Sequence, residues 1–157
     1  MRRYRSLLEK APRPEYEKDY GHKLEQVVEN FIDNEIPGMH CEHASESEDL
    51  TQATDTWLIL DQSNKRFPLQ ITMTDNPRML SGKEIRGPIV VHVPKSLVRE
   101  AWQDYNSTHQ DNPDIKFTYE FLPEEAKQII VRKLMEQPDI KRYMLAQAER
   151  VYYKDKN

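Results

Sequence analysis

Glycine is scarce in this sequence: Gly21, Gly38, Gly82 and Gly87 are the only four in 157 residues. Phosphate cradles of the Walker or dinucleotide type need clustered glycines so that backbone N–H groups can approach a phosphate, and that arrangement is excluded. G-x-S-x-G and H-E-x-x-H are missing too, which removes the hydrolase elbow and the helical zinc-protease signature. The single cysteine, Cys41, allows no intrachain disulfide and fits a reducing, cytoplasmic setting. No run of eighteen apolar residues occurs, so no membrane-spanning helix is expected. The opening stretch Met1–Lys10 is basic but lacks the apolar segment and small-residue cleavage site of a secretory signal.

What is present is a polar chain of one-domain length. Charged residues make up 32% and hydrophobic ones 37%, enough apolar side chains for a core and too many for a disordered chain. The formal net charge of −4 argues against a general coat for polyanions, while leaving room for a local basic face. Charge is unevenly placed. Glu42 to Asp61 holds six acidic residues and no Lys or Arg, whereas Arg2, Arg3, Arg5, Lys10 and Arg13 crowd the first thirteen positions. Each block reads either as solvated surface or, more sharply, as a cation site and a phosphate-contacting arm.

Prolines at positions 12 and 14 delay the first helix. From Glu15 to about Asn34, Tyr16, Tyr20, Leu24, Val27, Val28, Phe31 and Ile32 recur at helical spacing, until Ile36-Pro37-Gly38 stops them. Strands are expected at Met39–Ser45, Thr56–Leu60, Phe67–Met73 and Ile89–Val93. Residues 74–87 read as a loop with at most a short helical turn, because of Pro77, Gly82 and Gly87. A helix is expected from Leu97 to Tyr105, with Ser96 as its cap. Ile115–Phe121 alternates apolar and polar, which predicts a half-exposed strand or extended edge. Helices after Pro123 and from Ile140 to Tyr153 complete one α/β domain, residues 15–157, in which a central mixed sheet is flanked by helices behind a basic lead, residues 1–14.

Two clusters deserve chemistry. His40-Cys41-Glu42-His43 looks metal-like, but on a strand alternate side chains face opposite ways, and one cysteine with scattered histidines makes no four-ligand zinc set. Nothing marks His92 or His109 as a base for Cys41. The stronger set joins the first helix to the hairpin at 49–76. Glu25, Asp55 and Gln70 bring three oxygen-bearing side chains from adjoining elements, a set suited to Mg²⁺ or Mn²⁺. The plain alternative is that Asp55 caps a turn, Gln70 bonds across the sheet and Glu25 is a solvated helix residue.

Lys-Leu-Glu25-Gln on a helix, Thr-Asp55-Thr-Trp-Leu-Ile-Leu, and Phe-Pro-Leu-Gln70-Ile-Thr72 together resemble the core of the PD-(D/E)XK, or restriction-endonuclease-like, superfamily. The resemblance covers residues 15–93 and implies a nuclease-like core, with residues 95–157 as a helical cover. It implies that Glu25 is the helix carboxylate, Asp55 the main ligand for Mg²⁺ or Mn²⁺, and Gln70 the variant of the third-strand acid. DNA or RNA would be the partner, with Arg2, Arg3, Arg5, Arg78, Lys83 and Arg86 as phosphate contacts. The family pattern asks for a lysine where this chain has Thr72, and an uncharged hydroxyl cannot replace an ammonium beside a phosphate. Either the lysine has moved, with Lys23, Lys65 and Lys83 nearest in sequence, or the chain is a non-catalytic binding module using the basic loop or exposed aromatics such as Tyr152 and Tyr153.

Overall fold

The computed structural model describes residues 15–45, 54–85 and 87–156, with backbone alone at 15–22, 83–85 and 151–156. Helix α1 (Glu15–Glu35) leads into strands β1 (Met39–His43), β2 (Thr56–Leu60) and β3 (Arg66–Thr72). Helix α2 (Pro77–Ile85) then crosses to β4 (Ile89–His92). Helix α3 (Lys95–Asp111), a 3-10 turn at Tyr119–Phe121, α4 (Glu124–Met135) and α5 (Pro138–Lys156) follow. This is an α/β chain with a four-stranded mixed sheet in the order β1-β2-β3-β4. The first three strands are antiparallel, and β4 lies parallel to β3, which is why a helix must carry the chain back between them. None of the described helices is long and apolar enough to cross a membrane.

Alternation along the strands gives the sheet two faces. Leu58, Leu60, Leu69, Ile71 and Val91 join the main core with Leu24, Val28, Phe31 and Ile32 of α1 and Ala126, Ile130 and Leu134 of α4. The 24, 27, 28, 31, 32 spacing of α1 is one helical face, and that whole face is buried. The other sheet face carries Trp57, Ile59, Gln70, Val90 and His92 by the same alternation.

Helix α1 runs back along the free edge of β1, and two acids one turn apart fix it there. Asp33 Oδ1 accepts the edge N–H of Cys41 at 2.7 Å, and Glu29 Oε1 lies 3.2 Å from His43 Nδ1. At the turn between them Gly38 has φ +81°, and a Cβ there would come within 2.8 Å of the Tyr143 hydroxyl. That hydroxyl donates to the Gly38 carbonyl at 2.6 Å, tying α5 to the start of the sheet.

Three expectations are corrected. Residues 77–85 are helical where the sequence predicts a loop with at most a short turn: Asn76 Oδ1 accepts the Arg78 N–H at 3.0 Å and Pro77 occupies the first helical position, so α2 forms for nine residues. Helix α3 is longer than Leu97–Tyr105, and Pro94 rather than Ser96 stands at its cap. Ile115–Phe121 makes no strand. Its aromatics pack instead, Phe117 stacking on Trp102 at 4.3 Å and Tyr119 meeting Phe31 edge-on at 5.9 Å, and the last three residues tighten into the 3-10 turn.

Candidate functional site

The strand directions put the ends of β1, β3 and β4 and the start of β2 at one end of the sheet. Asp55 stands there, half-buried, immediately before β2. Its N–H donates to the Leu69 carbonyl at 2.9 Å, and its Oδ2 accepts the Ile71 N–H at 2.8 Å. Asp55 thus brackets Gln70 from both sides, bonding across to β3 rather than capping a turn of its own. Its carbonyl accepts the Ala44 N–H at 3.0 Å, which locks the end of β1 to the same point.

Gln70 is the central residue of this arrangement. The residue is 9% exposed, and its Oε1 has no hydrogen-bond partner among the described residues. The expected bond across the sheet is not made by that oxygen. An orphaned buried acceptor costs about 1–3 kcal/mol, so the chain carries a penalty at the position where a cation would use the oxygen. Asp55 and Gln70 offer oxygen atoms, the donor type a hard cation takes, at one strand end.

Glu25, half-buried on α1, does not join Gln70, because α1 packs on the sheet face of Leu58 and Leu69 and Gln70 faces the other way. His43 reports on it. The Glu29 carboxylate bonded to the ring raises the His43 pKa, burial opposes it, and the charges of Glu29, Glu25 and Asp55 add to the rise. Glu25 and Asp55 therefore act on one imidazole and share the same end of the sheet. Among the described residues, no three His, Cys, Asp or Glu side chains gather closely enough to hold a metal ion. A cation here depends on the Gln70 amide oxygen.

The proposed stand-ins for the lysine separate. Lys65 sits in the β2–β3 turn, at the opposite end of β2 from Asp55, with its Nζ 3.1 Å from Asp139 Oδ2 of α5. Lys23 lies with its Nζ 5.0 Å from the Trp102 ring centroid. Lys83 is on α2, and its side chain is among those not described. Thr72 Oγ1 accepts the Thr74 N–H at 3.2 Å, a turn-forming role. Arg78 is exposed at the start of α2, on the site end of β3, whereas Arg2, Arg3, Arg5 and Arg86 fall outside the described residues. Tyr152 and Tyr153 lie on α5 without described side chains.

The His40–His43 cluster splits as alternation requires. His40 turns to Asp61, and His43 turns to Glu29. Cys41 packs toward the core, and burial pushes its thiol pKa far up, with Asp33 and Glu29 adding to it. A thiol so placed is a poor nucleophile.

One pair went unread in the sequence. His92 Nε2 lies 3.1 Å from Asp75 Oδ1, and His92 is the register partner of Thr72. The two residues are 17 apart in the chain, and only the β3–α2–β4 crossover joins them. A parallel-strand pattern at 67–73 and 89–93 was the signal that could have found it. Comparison of the chain with protein-family models, with curated proteins and with solved structures returns no match.

Proposed function

We propose that this chain is a divergent restriction-endonuclease-like protein that hydrolyses phosphodiesters of DNA or RNA with Mg²⁺ or Mn²⁺. The observation that carries the reading is the buried Oε1 of Gln70, without a hydrogen-bond partner among the described residues, between the two bonds that Asp55 makes to β3. The order helix carboxylate, second-strand aspartate, third-strand glutamine supports it, because Glu25, Asp55 and Gln70 fall on α1, the start of β2 and β3. Asp55 and Gln70 would hold the cation, while Glu25 sits on α1, which packs on the sheet face opposite Gln70. A bound divalent ion would neutralise phosphate charge and ease the formation of hydroxide near neutral pH. Arg78, exposed at the start of α2, would contact a phosphate of the substrate backbone, which positions the strand without reading its sequence.

A second reading has its own observation. Thr72 offers no ammonium, and Lys65 and Lys23 are engaged elsewhere. On that reading the chain is a non-catalytic module that binds nucleic acid or a protein partner.

The deciding experiment incubates labelled DNA and RNA with Mg²⁺ or Mn²⁺ and compares wild type with Asp55→Asn. Asparagine keeps an oxygen for the Ile71 N–H and removes the charge, so folding and catalysis are separated. Cleavage by wild type that the variant loses is the expected result. Equal cleavage by both sinks the site. No cleavage, together with no heat of metal binding by calorimetry, selects the binding module.

A further inference from the structure

His92 is the register partner of Thr72, the position at which the family resemblance asks for a lysine. Thr72 and His92 are directly paired across the parallel β3–β4 ladder, and Gln70 is paired with Val90 two residues earlier. Residues two apart on a strand share a face, so Gln70, Thr72 and His92 all face the same side. With a rise of about 3.3 Å per residue and strands about 4.8 Å apart, the Cα atoms of Gln70 and His92 are roughly 8 Å apart, within reach of two extended side chains. Asp55 adds its carboxylate at residue 71 of the same strand.

Asp75 holds His92 from a loop pinned at each step. Thr72 Oγ1 accepts the Thr74 N–H, Thr74 Oγ1 accepts the Asn76 N–H at 3.3 Å, and Asn76 Oδ1 accepts the Arg78 N–H. The His92 side chain is 29% exposed, open to water yet restrained. A ring that donates its Nε2–H to the Asp75 carboxylate presents Nδ1 as a proton acceptor.

We propose that His92, oriented by Asp75, is the proton acceptor for the attacking water in phosphodiester cleavage. The proposal rests on the hydrolytic reading of Asp55 and Gln70. In the step, the water oxygen forms the new bond to phosphorus and its proton passes to His92 Nδ1. The bond from phosphorus to the leaving ester oxygen breaks, its electron pair stays on that oxygen, and solvent supplies the proton that completes it. One water is consumed and nothing is oxidised or reduced.

Other histidines are less suited. His43 has its Nδ1 engaged by Glu29 and is held toward the protonated form. His40 is bonded to Asp61 at the far end of β2 from Asp55. The His109 ring lies against Tyr105 on α3, 5.4 Å between centroids.

The test measures Mn²⁺-dependent cleavage of labelled oligonucleotides by wild type, Asp55→Asn, His92→Gln, His92→Gly and Asp75→Asn. His92→Gln is expected to lower kcat by about 100-fold or more while KM changes by less than about twofold. Asp75→Asn is expected to cost about 10- to 100-fold by loosening the ring's orientation. Imidazole added to His92→Gly should restore cleavage, which a structural role for His92 would not permit. If cleavage depends on Asp55 but survives His92→Gln at near the wild-type rate, or imidazole restores nothing, the assignment of His92 falls and the site stands. If wild type shows no Asp55-dependent cleavage, both fall.

Discussion

Gln70 puts an amide oxygen where burial removes water and no described donor replaces it. Such a position is costly for folding and useful for binding, and the two can be pulled apart. Gln70→Met keeps the volume and removes the polar atom, so it is expected to leave stability unchanged or raise it by up to about 2 kcal/mol, read from urea unfolding. On the proposed reading Mn²⁺ stabilises wild type against unfolding, and the same variant is expected to lose that stabilisation. A loss of more than about 1 kcal/mol in metal-free buffer would mean that the amide already has partners. His43 gives a second test with a definite sign. Its folded pKa is raised above the ordinary value of about 6.5, chiefly by the Glu29 carboxylate. The pair therefore adds stability that is full below the unfolded value and fades as pH rises through the folded one. Glu29→Gln should cost more at about pH 5.5, where His43 is protonated, than at about pH 8.5. A gap between the two unfolding midpoints that stays constant across that range would count against the pair.

At the scale of elements, what was legible in the sequence follows from how local its cause is. The α1 stripe of Leu24, Val27, Val28, Phe31 and Ile32 and the β-branched run Ile89–Val93 carry their period within themselves, and both elements form as read. Residues 77–85 form a helix against the indications of Pro77 and Gly82, because Asn76 caps the first turn and the crossover between two parallel strands needs a spanning element. Ile115–Phe121 has a strand's alternation but no neighbouring strand among the described residues, and the flat rings of Trp102 and Phe117 stack instead. The same distinction governs the site. Asp55 and Gln70 lie on one hairpin, so their meeting could be inferred from the chain. Asp75 and His92 meet only through the β3–α2–β4 crossover, whose helix was not foreseen. Edge protection was equally hidden: Asp33 covers the free N–H of Cys41 on β1, a contact set by how α1 packs.

At the scale of the whole molecule, the resemblance divides the chain into a nuclease-like core at 15–93 and a helical cover at 95–157, and the packing bears on whether that division is physical. Leu97, Val98, Leu122, Ile130, Leu134 and Ile140 all come from the second part, and all are buried in the same cluster as Leu58, Leu69 and Val91 of the sheet. Helix α5 is tied to the turn before β1 by Tyr143, and to the β2–β3 turn by the Lys65–Asp139 pair. Each large apolar side chain withdrawn from water contributes about 1.5–3 kcal/mol, so losing those six removes about 9–18 kcal/mol before the sheet residues they cover are counted. That matches or exceeds the 5–15 kcal/mol net stability typical of a domain. A chain ending after Val93 is therefore expected to show no cooperative urea transition by circular dichroism, while one spanning residues 15–157 unfolds in a single step. Cooperative folding of the shorter chain would make the helices a true cover. Its absence makes them one side of the core that carries the sheet positioning Asp55, Gln70 and His92, so that a substitution deep in α4, such as Ile130→Ala, reaches the site through the sheet.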